Sequence, residues 1–292
     1  MPARAIGRAR GLLAAMLLGI AAHAAAVCAA APARQLVVCA DPNNLPFSNR
    51  AGQGFENRLV ELLARDMDSH VRYVWWAQRR GYARRTLNEA KCDIWPGVAS
   101  GVDTVATTPP YYRSTYVFVT RADKPLQGLT LDDVRLKSLA IGVQMVGDNA
   151  MNTPPAHALA SRGLIANVHG YMLYGDYDQP NPAAAIVKAV ERGQIDVALV
   201  WGPLAGYFAH RSAIVLRLEP VTAAAGAPQW PMVYDISVGL RPDAPALHTQ
   251  IEAALEKEKP AIHALLSAYH VPPTSAASFA SAHEMTRSAA AP

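Results

Sequence analysis

Four residues in the stretch CADPNNLPFSNRAGQGFEN (39–57) can hold a ligand: Asp41, Asn43, Asn44 and Phe47. A carboxylate and two amides offer hydrogen bonds, and the ring offers an apolar face. They follow the apolar run QLVV, and open α/β sheets bind ligands beyond the carboxyl ends of their strands. Turn formation is the competing reading, because Asp-Pro and Asn-Asn make good turns. Trp75, Trp76, Gln78 and Arg79 follow a second apolar run, Gly97 follows a third, and Tyr111, Tyr112 and Arg113 come next. Gln144 opens the loop GVQMVGDNAMNTPP (142–155), where backbone amides can meet an anion. Asp176, Tyr177, Asp178 and Asn181 form another polar loop, and Trp201 and Tyr207 lie in DVALVWGPLAGYFA. Aromatic and arginine side chains are what protein interfaces concentrate. Burial of Trp75 or Trp76 in the core, and a solvated face for Arg79, Arg80, Arg84 and Arg85, are the plainer alternatives.

Catalytic chemistry has no comparable signal. The sequence contains no G-x-S-x-G, H-E-x-x-H or EF-hand loop,, and its nine histidines are scattered. No metal site or cofactor is expected: no histidine sits at ligand spacing from Cys39 or Cys92. Those two cysteines are either bonded to each other, as an oxidising compartment permits, or two buried free thiols.

Residues 1–33 read as a signal peptide. Arg4, Arg8 and Arg10 precede the apolar stretch GLLAAMLLGIAAHAAAV, and Ala22-His23-Ala24 and Ala31-Pro32-Ala33 are candidate cleavage sites,. Cys28 follows the bulky Val27, which disfavours a lipoprotein. No later run is long enough to span a bilayer, so the expected product is a soluble, exported chain without membrane insertion. Losing three arginines and no acid takes the formal charge from +4 to about +1,. With no Lys/Arg run, nucleic acid is not an expected partner.

The elements that must position these residues alternate. Strands are expected at Gln35–Ala40, Val71–Trp76 and Asp93–Val98, the last ended by Pro96 and Gly97, with helices at Asn57–Met67 and Tyr82–Ala90. This βαβαβ order calls for a parallel sheet with helices on its faces. The strand STYVFVTR leads to a second α/β unit: SLAIGV, a helix near Pro155–Arg162, a helix Pro182–Arg192 capped by Asn181, DVALV, a helix from Pro203 and IVLRL. A connector near Val221–Pro231, the strand MVYDISVGL and helices at His248–Lys259 and Ala261–Tyr269 complete it. The expected organisation is lobe 1 over 34–121, lobe 2 over 122–220, connector and return over 221–271, and a disordered tail over 272–292.

The strings LVVCADPNNLPFS, CDIWPGV, TPPYYRSTYVFVTR, IDVALVWGP and ISVGLRPD resemble the amino-acid-binding branch of the type II periplasmic solute-binding proteins, over nearly the whole expected mature chain. This implies two α/β lobes joined by a two-strand hinge. CADPNNLPFSN, WWAQRRGY, PYYRSTYVFVTR, YDQPNPAA and DVALVWGPLAGYFA resemble a narrower group, the solute-binding-like J proteins associated with quinoprotein methanol dehydrogenases. Amino-acid binders place an arginine after the third strand to clamp the ligand carboxylate; here no Arg or Lys occurs between Gly97 and Tyr112. They also place an aspartate after the lobe-2 strand to hold the ammonium; here that position is Trp201.

The narrower resemblance implies a non-catalytic accessory protein whose partner is a PQQ-dependent alcohol dehydrogenase, and with it the c-type cytochrome of that system. The alternative is a receptor for an ABC transporter whose ligand is not an ordinary amino acid. A hydrolase or dehydratase on the same scaffold is a third reading. The cleft residues under all three are Asp41, Asn43, Asn44, Phe47, Trp76, Gln78, Arg79, Gly97, Tyr112, Gln144, Asp176, Trp201 and Tyr207.

Overall fold

The computed structural model describes residues 34–79, 81–146, 152–172, 177–223 and 230–274. The expected signal peptide, most of the expected disordered tail and the side chain of Asp176 lie outside the described residues.

The first strand, β1 (Arg34–Ala40), ends in a short hairpin, β2 (Asn43–Asn44) and β3 (Ser48–Asn49), and leads to α1 (Phe55–Asp66) and β4 (Ser69–Trp75). The chain continues through α2 (Tyr82–Arg85), β5 (Ile94–Ala99), β6 (Ala106–Thr107) and β7 (Tyr112–Arg121). The second half contains β8 (Ile141–Met145), α3 (Pro154–Ala160), β9 (Val168–Met172), α4 (Ala185–Glu191), β10 (Val197–Trp201), α5 (Gly202–Ala209) and β11 (Leu216–Pro220). It returns through β12 (Val233–Leu240), α6 (Pro245–Lys257) and α7 (Lys259–Ala268).

The main sheet runs β4-β1-β5-β12-β7-β10-β8-β9, with β6 beside β12 and β11 beside β7. β4, β1 and β5 are mutually parallel, as are β10, β8 and β9, whereas β7 and β12 run antiparallel to their neighbours. One strand serves both halves. Residues 112–115 of β7 pair with β12, and residues 116–121 pair with β10 and β11. At the changeover, the Tyr116 N–H donates to the Met232 carbonyl and the Val221 N–H donates to the Tyr116 carbonyl, so both flanks of the connector are tied to one residue. Beside it, the Arg113 guanidinium grips Asp235 with two bonds of 2.6 and 2.5 Å.

Each half has its own apolar core. Leu59, Leu63, Ile94 and Val238 are sealed in the first, and Phe118, Ile141, Val197 and Leu199 in the second. Helix α1 contributes because Leu59 and Leu63 recur at helical spacing and face the sheet. The two halves also meet where α7 ends on α5: Tyr269 stacks on Tyr207 at 5.8 Å and His270 on His210 at 3.5 Å. Gly206 permits this approach, since a Cβ there would fall 1.9 Å from the His270 carbonyl oxygen.

Several local expectations are corrected. Pro96 and Gly97 lie inside β5 rather than ending it, because the β5–β12 register shifts between Ser237 and Gly239 and sets the two residues opposite one. A bulge of this kind tolerates a proline that cannot donate. The helix from Tyr82 stops at Arg85 rather than Ala90: the Thr86 hydroxyl donates to the Tyr82 carbonyl at 2.6 Å, taking the acceptor that the next helical N–H would use. Asn181 adopts a left-handed conformation and makes no side-chain cap; Pro182–Ala184 is a 3₁₀ turn before α4. Strand β9, VHGYM, is an element that the apolar pattern does not mark, because it is short and half-exposed.

Candidate functional site

The carboxyl ends of β1, β4 and β5 and those of β8 and β10 face a common cleft, with a cavity of about 390 Å³ between them. Seven of the sequence-predicted residues line it: Asn44, Phe47, Gln78, Gly97, Tyr112, Gln144 and Trp201. Trp95, Tyr116 and Tyr234 extend the aromatic lining. Trp201 packs edge-on to Tyr116 at 5.2 Å and to Tyr234 at 6.0 Å. Its backbone N–H donates to the Gln144 Oε1 at 2.9 Å, which fixes that buried amide.

Asp41 is 2% exposed and organises the rim rather than the cavity. Its carboxylate accepts from the Asn43 N–H at 2.9 Å, the Gln78 N–H at 2.8 Å and the Tyr177 hydroxyl at 2.8 Å. The Asn43 side chain donates to the Gln179 carbonyl at 2.8 Å, so two bonds cross between the halves here. Arg79 lies over the Tyr177 ring at 5.5 Å. Burial, then the Asp41 charge, pushes the Tyr177 hydroxyl above its ordinary range.

Trp76 and Tyr207 do not line the cavity. Trp76 is 37% exposed, with Lys91 over its ring. Tyr207 is buried in α5 beneath Tyr269 and Arg211. Cys39 and Cys92 are bonded, with Cα atoms 5.5 Å apart, which decides between the two readings of that pair. The disulfide joins the end of β1, which Asp41 follows, to the approach to β5, which carries Gly97.

Glu56 is the residue that sequence reasoning missed. It occupies the first turn of α1, is 6% exposed and lines the cavity. Its carboxyl makes no hydrogen bond among the described residues. Burial, reinforced by the Asp41 charge, pushes it up to about 8,. Gly97 makes room for it, since a Cβ at Gly97 would fall 1.9 Å from the Glu56 Oε1. The available signal was helical register: residues 56, 59, 60 and 63 share the face that carries the core leucines. On the same lining, the buried Asn44 Oδ1 and Trp95 Nε1 have no partner among the described residues. Among the described residues, the lining holds no lysine, arginine or histidine. The arrangement can therefore hold a ligand through ring faces, amides and one acid, but it offers no cationic clamp for a carboxylate. No group of metal-ligating side chains occurs among the described residues.

No family model matches the chain. Protein MoxJ of Methylorubrum extorquens is 34% identical over 85% of this chain and 84% of its own length. Protein MoxJ of Paracoccus denitrificans is 30% identical over 87% and 94%. The crystal structure of the periplasmic binding protein XoxJ from Methylobacterium extorquens AM1 superposes with a TM-score of 0.66 at 33% identity, covering 82% of this chain and 99% of that one. MxaJ from Methylophaga aminisulfidivorans gives 0.68 at 26% identity over 81% and 99%. An ancestral cationic amino-acid solute-binding protein, 17% identical with a TM-score of 0.62, shares the type II fold. The chain belongs to the MoxJ family, the periplasmic-binding-protein-like proteins of the methanol oxidation system.

Proposed function

We propose that this protein is a non-catalytic periplasmic accessory protein, exported by a cleaved leader, that binds a PQQ-dependent methanol or alcohol dehydrogenase and supports its maturation or activation. The dehydrogenase's c-type cytochrome belongs to the same assembly. Family membership supports the system, and one observation supports the change of role: the cleft keeps its position but has no basic side chain among its described lining residues. Trp201 stands where an amino-acid receptor places its acid, and a ligand carboxylate buried in this cleft without a basic partner would cost several kcal/mol.

The partner surface in this reading is the rim that carries the exposed Trp76 and Arg79, with Trp201 behind it. Large rigid side chains contribute most of the energy of such contacts. Replacing Trp76 and Arg79 together by alanine should weaken association with the cognate dehydrogenase by about 2 kcal/mol or more. The measurement is biolayer interferometry, with circular dichroism as the folding control. Unchanged affinity in a folded double variant would remove this rim from the interface.

The second reading, a transport receptor for a ligand that is not an ordinary amino acid, is favoured by the cavity itself, whose volume suits a small molecule. Calorimetric titration with the twenty amino acids should give no micromolar isotherm. One clear isotherm would restore an ordinary amino-acid receptor.

A further inference from the structure

We infer that the cavity beneath the rim binds a small organic cation, an amine or quaternary ammonium without a carboxylate, with the Glu56 carboxylate as its counter-ion and the surrounding aromatic rings as its cage.

Three independent features carry this. The first is the unpartnered acid. Glu56 is more than nine-tenths buried, lines the cavity and has no hydrogen-bond partner among the described residues. A buried acid normally finds a donor or a cation in its own fold. Here the backbone is shaped to keep the carboxyl in place, because Gly97 leaves the space its Oε1 occupies.

The second feature is the wall. Phe47, Trp95, Tyr112, Tyr116, Trp201 and Tyr234 all line the same space. Ring faces attract a desolvated cation, and cages of this kind recognise quaternary ammonium groups. The third is charge selection. With no basic side chain among the described lining residues, a ligand carboxylate finds no counter-charge here, so zwitterionic amino acids are poor occupants and a simple cation is a good one. Asn44 Oδ1, also without a partner among the described residues, can accept from an ammonium N–H or a ligand hydroxyl.

The protonation behaviour agrees with this geometry. The titratable groups facing Glu56 are Asp41 from the loop after β1, Tyr73 on β4, Tyr111 just before β7 and Tyr112 at its start. The three tyrosines are pushed upward by burial, so they stay neutral and Asp41 is the neighbouring negative charge. Glu56 itself, pushed up to about 8, is mostly protonated near neutral pH in the empty cavity. An entering cation favours the ionised form, so Glu56 gives its proton to solvent as the cation binds. Affinity should then rise about tenfold per pH unit below pH 8 and level off above it.

The site lies inward of the rim assigned to the dehydrogenase, and its test uses this protein alone, so either reading can fail without the other. Choline and benzylammonium are titrated calorimetrically against their neutral counterparts 3,3-dimethylbutan-1-ol and benzyl alcohol. At least one cation should bind more tightly than its neutral counterpart by tenfold or more at about pH 8. Its binding at about pH 6 should release close to one proton, read from the heats in buffers of different ionisation enthalpy. Glu56→Gln should cut the cation preference at least tenfold and abolish the proton release. If that variant fails to fold, the pH series on the unsubstituted protein with choline, whose charge does not titrate, decides alone. Equal affinity for cation and neutral counterpart, no binding of either cation, or affinity independent of pH between 6 and 8 overturns the inference.

Discussion

At the rim of the cleft, Asp41 accepts three hydrogen bonds, Tyr177 donates one of them and Asn43 reaches the Gln179 carbonyl. Further in, Glu56, Asn44 Oδ1 and Trp95 Nε1 line one cavity without such partners among the described residues. Both regions draw acids and amides from the stretch between Asp41 and Glu56, yet one answers its own polar groups and the other leaves several open. Self-satisfied polar groups hold two halves of a protein together. Buried groups left open cost free energy in the empty protein and recover it only when something enters. The contrast separates a fastening from a receptacle.

The most forceful way to break the contrast is to remove the Glu56 charge. A rise from 4.5 to about 8 corresponds to about 5 kcal/mol between protonated and ionised forms. The folded state prefers the protonated acid, so this contribution is present below the unfolded value and is lost as pH climbs through about 8. Glu56→Gln should therefore match the parent near pH 5 and exceed its stability by a few kcal/mol at pH 9. Urea unfolding at the two pH values measures this, and an equal difference at both would mean the acid is not desolvated as described.

Next in size is the disulfide beneath both regions. Cys39 and Cys92 are 53 residues apart in sequence, and opening that link should cost roughly 4 kcal/mol in the chain-entropy picture. Replacing both by serine should lower the urea midpoint accordingly. If instead the midpoint stays put, the link contributes no net constraint to the frame the two regions share.

Gly97→Ala should cost about 1–3 kcal/mol, because its methyl group takes the place of the Glu56 carboxyl oxygen,. The same change in Glu56→Gln protein tests steric origin, since a like loss is expected with or without the charge. The smallest effect belongs to the rim. Tyr177→Phe removes one donor to Asp41 and should cost about 0.5–1.5 kcal/mol, with no change in the pH dependence that Glu56 causes. A shifted pH profile would show that the fastening and the receptacle are coupled.

Much of this architecture can be read from the chain. The runs LVVCA, YVFV and VALV are apolar throughout, as strands covered on both faces must be, and each lies in a strand. The turn-rich loop after β1 does lead to the cleft. What escapes depends on contacts distant in sequence. Pro96 and Gly97 look like a strand end because the compensating irregularity is in β12. Trp201 and Tyr207 look alike as aromatics after β10, but one faces the cavity and the other lies under Tyr269, a residue supplied by the end of α7. Glu56 resembles an ordinary acid in a helix's first turn; its isolation is visible only once β5 lies across it.

The sharing of β7 has a consequence for the order in which the molecule can be assembled. Every strand of the second half, β7 through β11, is present once Pro220 has been made. The first half cannot finish then, because β12 belongs between β5 and β7 and β12 comes after the connector. A chain emerging from its amino end can thus complete its later half first and must hold its earlier half open. Only the last strand joins the β4-β1-β5 group to β7 in a continuous sheet. Pairings that span so much chain form slowly, and the cavity, whose walls come from both halves, is among the last things to exist.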